Sequence, residues 1–266
     1  MIRRSRDQET DMASKFMNLL ASGAFALVTV LAAAAPAGAF DDAQKKEIGD
    51  LVRQYLIDNP EVLLEAQDAL QAKREQASAA KASAAIDKNK QELFSDASDL
   101  VLGNPKGDVT VVEFFDYNCT YCKHAIKDMS ALIKSDPNVR FVLKEFPILG
   151  QDSIEAHKIA LAFRAIAPEK YGQFHMALLG GQAHADKETA LKVAESLGVS
   201  KAEIAKQVAA NAGQQSVKSS YELADALGIN GTPAYVIGND LTPGAAGLDV
   251  LTQKVANMRA CGKAVC

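Results

Sequence analysis

The sequence predicts an α/β fold: a small sheet interrupted by an inserted helical block and preceded by a separate helical segment. Three observations carry this. Val109–Asp116 (Val-Thr-Val-Val-Glu-Phe-Phe-Asp) is a short, nearly continuous apolar run, β-branched and aromatic, as a strand buried on both faces requires. Two cysteines two residues apart, Cys119 and Cys122, follow it directly, where a helix should open. From Asp152 to Leu227 there are only helical signals, after which a strand resumes at Ala234.

Composition narrows the function classes. The 266 residues are 48% hydrophobic and 23% charged, an ordinary globular balance with room for one large domain or two small ones. A formal net charge of −4 offers no basic surface for nucleic acid. The absence of Trp and the 6% aromatic content also argue against a base-stacking platform. Four cysteines are too few to scaffold a chain this long, so their positions carry the information.

Residues 1–39 read as an export signal. Arg3, Arg4, Arg6 and Lys15 supply positive charge, an apolar run extends from Phe16 to Ala35, and Ala37-Gly38-Ala39 has the small-x-small pattern of a cleavage site. Met12, shortly before Lys15, would itself make a compact start, so Met1 and Met12 both stand as initiators. The run is nearly long enough to be an uncleaved membrane anchor instead, at about 20 residues. Cleavage leaves 25 Lys/Arg against 30 Asp/Glu. The mature chain is then expected outside the cytoplasm, where disulfides persist.

The next stretch, 40–72, predicts two helices. Ile48, Leu51, Val52, Tyr55 and Leu56 share one helical face; Asn59-Pro60-Glu61 supplies an N-cap, a first-turn proline and an acidic first turn; Val62, Leu63, Ala66 and Leu70 continue an apolar stripe. Some 30 residues cannot bury such stripes alone, so they must dock on the rest of the chain or on another copy, and another copy is expected. Residues 73–94 form a linker. Lys73–Gln91 is Ala/Lys/Gln/Ser-rich with Ile86 its only large apolar residue, and reads as a solvated helix or a flexible spacer with no face to bury.

The main domain is expected over 95–266. Strands are predicted at Asp99–Gly103, Val109–Asp116 and Val139–Pro147, with a helix from about Cys119 to Lys134 between the last two. In the helical block at about 152–227, Pro168 interrupts, Ser200-x-x-Glu203 forms a capping box, and Gly228 ends the last helix. A strand at Ala234–Ile237, a Gly238-Asn239-Asp240 turn, a short strand near Leu241 and a helix from Leu248 to about Arg259 complete the chain. Strand–helix–strand, helical block, strand–strand–helix is the order of a thioredoxin fold split by a helical insertion.

Placed between a buried strand and a helix, Cys119-Thr-Tyr-Cys122 points to redox chemistry. At the helix N-terminus Cys119 would face free backbone N–H groups and the positive dipole end, which favour the thiolate. Cys122, one turn inward, would resolve a mixed disulfide. Structural zinc lacks its other ligands: His124 would point away, and there is no second CxxC or His pair. Glu113, six positions before Cys119 within the apolar strand, is either an outward Glu on an edge strand or a buried proton acceptor beneath the cysteines, with Lys144 a candidate partner. In Gly231-Thr232-Pro233 the proline is either an ordinary strand start or a cis residue. The cis form would leave the Thr232 backbone free to pair with a substrate strand. Cys261 and Cys266 are expected to form a local disulfide pinning the tail; an accessory redox pair and soft copper ligands are the alternatives. His157, His175 and His184 are expected to be hydrogen-bonded or on the surface. No cofactor and no bound metal are expected.

Val111-Val-Glu-Phe-Phe-Asp-Tyr-Asn-Cys-Thr-Tyr-Cys122 resembles the DsbA family of periplasmic thiol oxidoreductases, and Phe141–Leu149 and Gly231–Ile237 resemble that family's later blocks. The resemblance runs from about Asp99 to the end. The helices over Asp41–Leu70 are similar to the N-terminal region of the ScsC-like and Com1-like branch; in ScsC-like members that region trimerises and the next segment is a linker. The resemblance implies Cys119 as nucleophile, Cys122 as resolving cysteine, Glu113 as buried acid/base and Pro233 as cis-proline. Thr-Tyr between the cysteines departs from the Pro-His of strongly oxidising members, and Thr232 before the proline is shared with isomerases. The implied protein is a homotrimeric periplasmic disulfide isomerase or reductase. It would act on exported proteins bearing disulfides and be kept reduced by a membrane thiol reductase of DsbD or ScsB type. A dithiol oxidase served by a DsbB-like partner, and a periplasmic copper-binding protein tied to copper tolerance, are the alternatives.

Overall fold

The computed structural model describes residues 40–96 and 99–266. The predicted export signal and its cleavage site lie outside them. Contacts divide the chain into two units at Leu63/Leu64.

In the first unit, helix α1 (Asp42–Asp58) begins with a complete capping box: Asp41 accepts from the Gln44 backbone N–H, and the Gln44 side chain accepts from the Asp41 N–H. None of its residues is buried, and Ile48, Leu51, Val52 and Tyr55 form an exposed apolar stripe. Asn59 caps the end of this helix, its side chain donating to the Tyr55 carbonyl, instead of capping the start of the next.

Helix α2 (Glu61–Lys88) and helix α3 (Lys90–Phe94) follow. Of the two forms expected for Lys73–Gln91, the helical one is present, and it is not without a buried face. Ile86 and Ala82 are 1% and 5% exposed, and Ile86 packs with Leu93, Phe114 and Val142. One isoleucine flanked by alanines suffices because the facing sheet supplies the rest of the apolar surface.

The sheet contains β1 (Leu100–Gly103), β2 (Val109–Phe115), β3 (Val139–Glu145), β4 (Ala234–Ile237) and β5 (Asp240–Pro243), in the order β1-β3-β2-β4-β5. Only β2 and β3 run parallel, joined by α4 (Thr120–Ser135) as their crossover. The central place of β2 explains its continuous apolar sequence: both faces are covered. Val111 and Phe115 face the core formed with α4 and α5 (Gln151–Ile166), whereas Val112 and Phe114 face the cluster of Ile86, Leu93 and Leu223.

The inserted block comprises α5, a 3-10 turn at Pro168–Lys170, α6 (Tyr171–Leu179), α7 (Lys187–Ser196), α8 (Lys201–Ala209) and α9 (Gln214–Leu227). Ser200 and Glu203 form the predicted capping box, and Gly228, at φ 74°, ends α9 in the left-handed conformation that glycine adopts without penalty. The chain closes with α10 (Leu248–Cys261), where Arg259 bridges Asp108 and Asp136 at the end of β2 away from the cysteines.

Candidate functional site

Cys119 is the N-cap of α4, a place usually held by an oxygen-bearing side chain. Its sulfur accepts from the Cys122 N–H at 3.4 Å. The thiol of Cys122, then the Thr232 side chain, then the backbone N–H groups of Cys122 and Tyr121 together bring the Cys119 pKa down to about 6, against the opposing effect of burial. Cys122 is displaced the opposite way. Burial first, then its hydrogen bond to Cys119 and the nearby Glu113 carboxyl, hold its thiol far above the ordinary range. Cys119 is 5% exposed and Cys122 not at all. Two chemically identical groups are thus separated into a ready thiolate at the start of α4 and a protonated thiol beneath it. Both are free cysteines in this structure.

Thr232 and Pro233 come to the same place from the loop before β4. Their peptide bond is cis, and the Thr232 carbonyl accepts from the Cys119 thiol at 3.0 Å. Glu113 is 3% exposed on the central strand, between Leu143 of β3 and Tyr235 of β4, so the edge-strand alternative does not hold. Burial first and the Cys119 charge second raise its pKa to about 8. A carboxyl so placed can carry a proton at neutral pH and exchange it.

Lys144 is not its partner. Residues on a strand alternate faces, and Lys144 lies beside Phe114 in the parallel register, on the opposite side of the sheet from Glu113. It pairs with Asp99 at 2.6 Å and donates to the Glu92 carbonyl at 2.6 Å, tying α3 and the entry to β1 onto the sheet.

Asp116 is a further site residue, not among those the sequence singles out. One carboxylate oxygen accepts from the Asn118 N–H and the Ser153 hydroxyl, each at 2.8 Å; the other accepts from the Ile148 and Leu149 N–H groups at 2.8 and 3.0 Å. It fixes the turn that delivers Cys119, and Asn118 extends the hold to Ala185. The Asp-x-Asn spelling of an Asx-turn was the available signal.

Of the histidines, His157 is buried and bonded to Glu145 at 2.6 Å, and His184 is exposed and bonded to Asp152. His175 departs from expectation: it is buried and neither ring nitrogen has a hydrogen-bond partner. Cys261 and Cys266 are joined by a disulfide, S–S 2.08 Å, remote in sequence from the redox pair. Among the described residues no group of three or more His, Cys, Asp or Glu is placed to hold a metal ion.

A mixed sheet with a helical insertion, a cysteine pair opening α4 and a cis-proline loop against it define the thioredoxin-fold oxidoreductase class. The family of DSBA-like thioredoxin domains matches residues 110–256, and the chain belongs to it. Residues 44–77 match the copper resistance protein ScsC N-terminal domain. Among solved structures, a thioredoxin-like oxidoreductase from Silicibacter pomeroyi DSS-3 is 41% identical, the match covering 65% of this chain and 99% of that one with a TM-score of 0.62. The thiol-disulfide exchange protein alpha-DsbA2 from Wolbachia pipientis is 32% identical, covering 68% and 98% with a TM-score of 0.63. Proteus mirabilis ScsC in a transitional conformation is 31% identical, covering 84% and 98% with a TM-score of 0.61. Two curated relatives, the Na(+)/H(+) antiporters NhaA 3 of Salinispora tropica and NhaA 1 of Salinispora arenicola, are 24% and 25% identical over 157 and 162 residues; the chain spans 24% of their length. No helix among the described residues is long and apolar enough to cross a membrane.

Proposed function

We propose that the protein is a periplasmic disulfide isomerase or reductase that acts on misfolded exported proteins as an oligomer, through Cys119 and Cys122. The observation that carries the chemistry is the placement of the two sulfurs: Cys119 at the N-cap of α4, accepting the Cys122 N–H at 3.4 Å with its pKa brought down to about 6, and Cys122 wholly buried beneath it with its pKa pushed up. The Cys119 thiolate attacks one sulfur of a substrate disulfide. A Cys119–substrate S–S bond forms, the substrate S–S bond breaks, and the second substrate sulfur leaves as a thiolate. Where that thiolate attacks a second disulfide of the substrate, the thiolate freed there attacks the substrate sulfur of the mixed disulfide; the substrate is rearranged and Cys119 leaves as the thiolate. Where it does not, Cys122 attacks Cys119 and breaks the Cys119–substrate bond; its proton passes to the Glu113 carboxylate, which ionises more readily once the Cys119 charge is lost in the mixed disulfide. The substrate leaves reduced, and an external membrane thiol reductase must restore the dithiol. Once Cys119 is bonded to substrate it has no proton to donate, so the Thr232 carbonyl is open to an N–H of the bound segment.

The oligomeric part rests on α1. Leu51 is 69% and Tyr55 55% exposed, a stripe that other copies would cover, and residues 44–77 match the ScsC N-terminal domain, the region for which the resemblance implies a trimer. Joining several Cys119 sites raises the effective concentration of thiolate around one substrate. Exported location is supported by likeness to a periplasmic thioredoxin-like protein from Salmonella enterica serovar Typhimurium, 26% identical with a TM-score of 0.58. We propose the domain limits as 1–39 signal, 40–72 oligomerisation region, 73–94 a helical linker whose later part packs on the sheet, and 95–266 catalytic domain.

Reactivation of scrambled ribonuclease in a redox buffer tests this, with Cys119→Ala and the double variant Leu51→Glu/Tyr55→Glu alongside. Substitution on α1 is preferable to truncation at 95, which would also remove Ile86 from the core. Recovery that needs both Cys119 and the α1 stripe supports an oligomeric isomerase. Rapid oxidation of reduced ribonuclease without unscrambling would make the protein a dithiol oxidase.

A further inference from the structure

A groove of about 640 Å³ runs beside the cysteines, between α2 and the segment that leads into β4. One wall is Glu75, Ser78, Ala79 and Ala82, a spacing that sets all four on one side of the helix. Thr232 and Pro233 lie on the other side. Tyr121, 65% exposed and two residues from Cys119, belongs to the same lining. Burial of Ala82 and Ile86 fixes this part of α2 on the catalytic unit, so the wall is a built surface.

Resting on the reading of Cys119 as the sulfur that engages protein disulfides, we propose that the groove holds the extended segment flanking a substrate cysteine and that α2 selects it. The selected segment carries small or apolar side chains against Ser78 and Ala79, and a basic side chain toward Glu75. Three considerations favour this occupant. The groove reaches Thr232, the residue in contact with the reacting sulfur, so whatever lies in it is continuous with the exchange site. Its volume is that of sites taking several side-chain-sized groups, more than a small thiol fills. The helix wall is Ser and Ala apart from Glu75, the only charged residue of the lining, which leaves room for substrate atoms and places one negative charge beside them. The Ala/Ser richness of the second half of α2 then has a reason beyond solvation: longer side chains there would fill the groove. Ser78, Ala79 and Glu75 are specificity residues on this account and take no part in the exchange itself.

The test uses the reduced full-length mature protein and two variants, Ala79→Trp and Glu75→Lys. Short single-cysteine peptides, each blocked as a mixed disulfide with thionitrobenzoate and flanked by Lys, Ala or Glu, are compared with dithiobis-nitrobenzoate as a small disulfide. The expected result is a preference of about tenfold in kcat/KM for Lys-flanked over Glu-flanked peptides, reversed by Glu75→Lys. Ala79→Trp should lower the ratio of peptide to small-disulfide rates by about tenfold, with the Cys119 thiolate titration unmoved. Equal peptide and small-disulfide rates in all three proteins, or a fall in both accompanied by a displaced thiolate titration, overturns the groove. No reaction of the unsubstituted protein even with the small disulfide overturns the exchange reading as well, and by that sign is told apart from failure of the groove alone.

Discussion

The sulfur of Cys119 lies 3.0 Å from the carbonyl oxygen of Thr232, which is 113 positions further along the chain. The contact joins the two ends of a domain whose middle is an inserted helical block. It also links the state of the sulfur to the state of the loop. The neutral thiol donates to the carbonyl, whereas the thiolate and the mixed disulfide do not. The thiolate is instead held by the Cys122 thiol and by N–H groups at the start of α4. Each chemical state of Cys119 therefore leaves the Thr232 acceptor either engaged or open.

The thiolate absorbance of the reduced protein, and its alkylation rate, should rise with a midpoint near pH 6. Cys122→Ala removes the largest stabilising hydrogen bond, and the midpoint should move up toward the ordinary thiol range. Because the folded pKa lies below the unfolded value, the contribution of Cys119 to stability is present at alkaline pH and lost as pH falls through about 6. A midpoint unchanged by Cys122→Ala would remove the hydrogen bond between the sulfurs as its cause.

Glu113 gives the opposite slope. Its pKa rises from 4.5 to about 8 on folding, so the folded chain holds a proton that the unfolded chain has released, and stability declines as pH climbs between those values. Glu113→Gln should flatten the decline and raise stability at pH 7 by on the order of 3 kcal/mol, read from urea unfolding of the reduced protein at pH 5 and pH 8. The same variant should lengthen the life of a Cys119–substrate mixed disulfide at least about a hundredfold, since Cys122 loses its proton acceptor. A normal mixed-disulfide lifetime would leave Glu113 with no part in the exchange.

His175 sits among Phe115, Tyr117 and His157 with no partner for its ring nitrogens, and burial brings its pKa down to about 3. It must stay neutral to stay folded, so stability should fall as pH drops from 6.5 toward 3, where only the unfolded chain takes up the proton. His175→Phe should stabilise by about 1–3 kcal/mol at neutral pH and by more at pH 4. Thermal unfolding at the two pH values is the check, and equal midpoints for the two proteins would show the ring nitrogens to be satisfied.

The Lys144–Asp99 pair is fully enclosed, each side chain 2% exposed. Burial raises Asp99 to a pKa of about 6 even with Lys144 beside it. Lys144→Met should cost about 3–5 kcal/mol by leaving a carboxylate buried alone, and Lys144→Met with Asp99→Leu should recover most of that loss. Unfolding free energies of the two single variants and the double variant decide it. Additive losses would mean that the residues do not interact.

The elements near Cys119 were legible because each rests on local chemistry. A seven-residue apolar run had to be a strand covered on both faces, and Ser200 with Glu203 had to open a helix. The cysteine pair between strand and helix had to meet the N–H groups that favour a thiolate. Partnership across the sheet was not legible. Which of Glu113 and Asp99 meets Lys144 depends on register, and a shift of one residue exchanges the faces. The burial of Ile86 was likewise invisible, because a lone isoleucine among alanines shows no stripe until a sheet face is laid against it.

By itself, then, the sequence determined the order of the elements, the sulfur pair and its place at a helix start, and a glutamate committed to an apolar strand. Hydrogen-bond geometry at the first turn and hydrophobic periodicity act over a few residues and can be read along the chain. Only the tertiary structure decided that Thr232 meets Cys119, that Asp116 clamps the turn before it, that His175 goes unpartnered, and that α2 walls a groove at the reacting sulfur. Those are contacts between residues tens to more than a hundred positions apart, and they exist only once the packing of the whole domain has chosen one register and one set of faces.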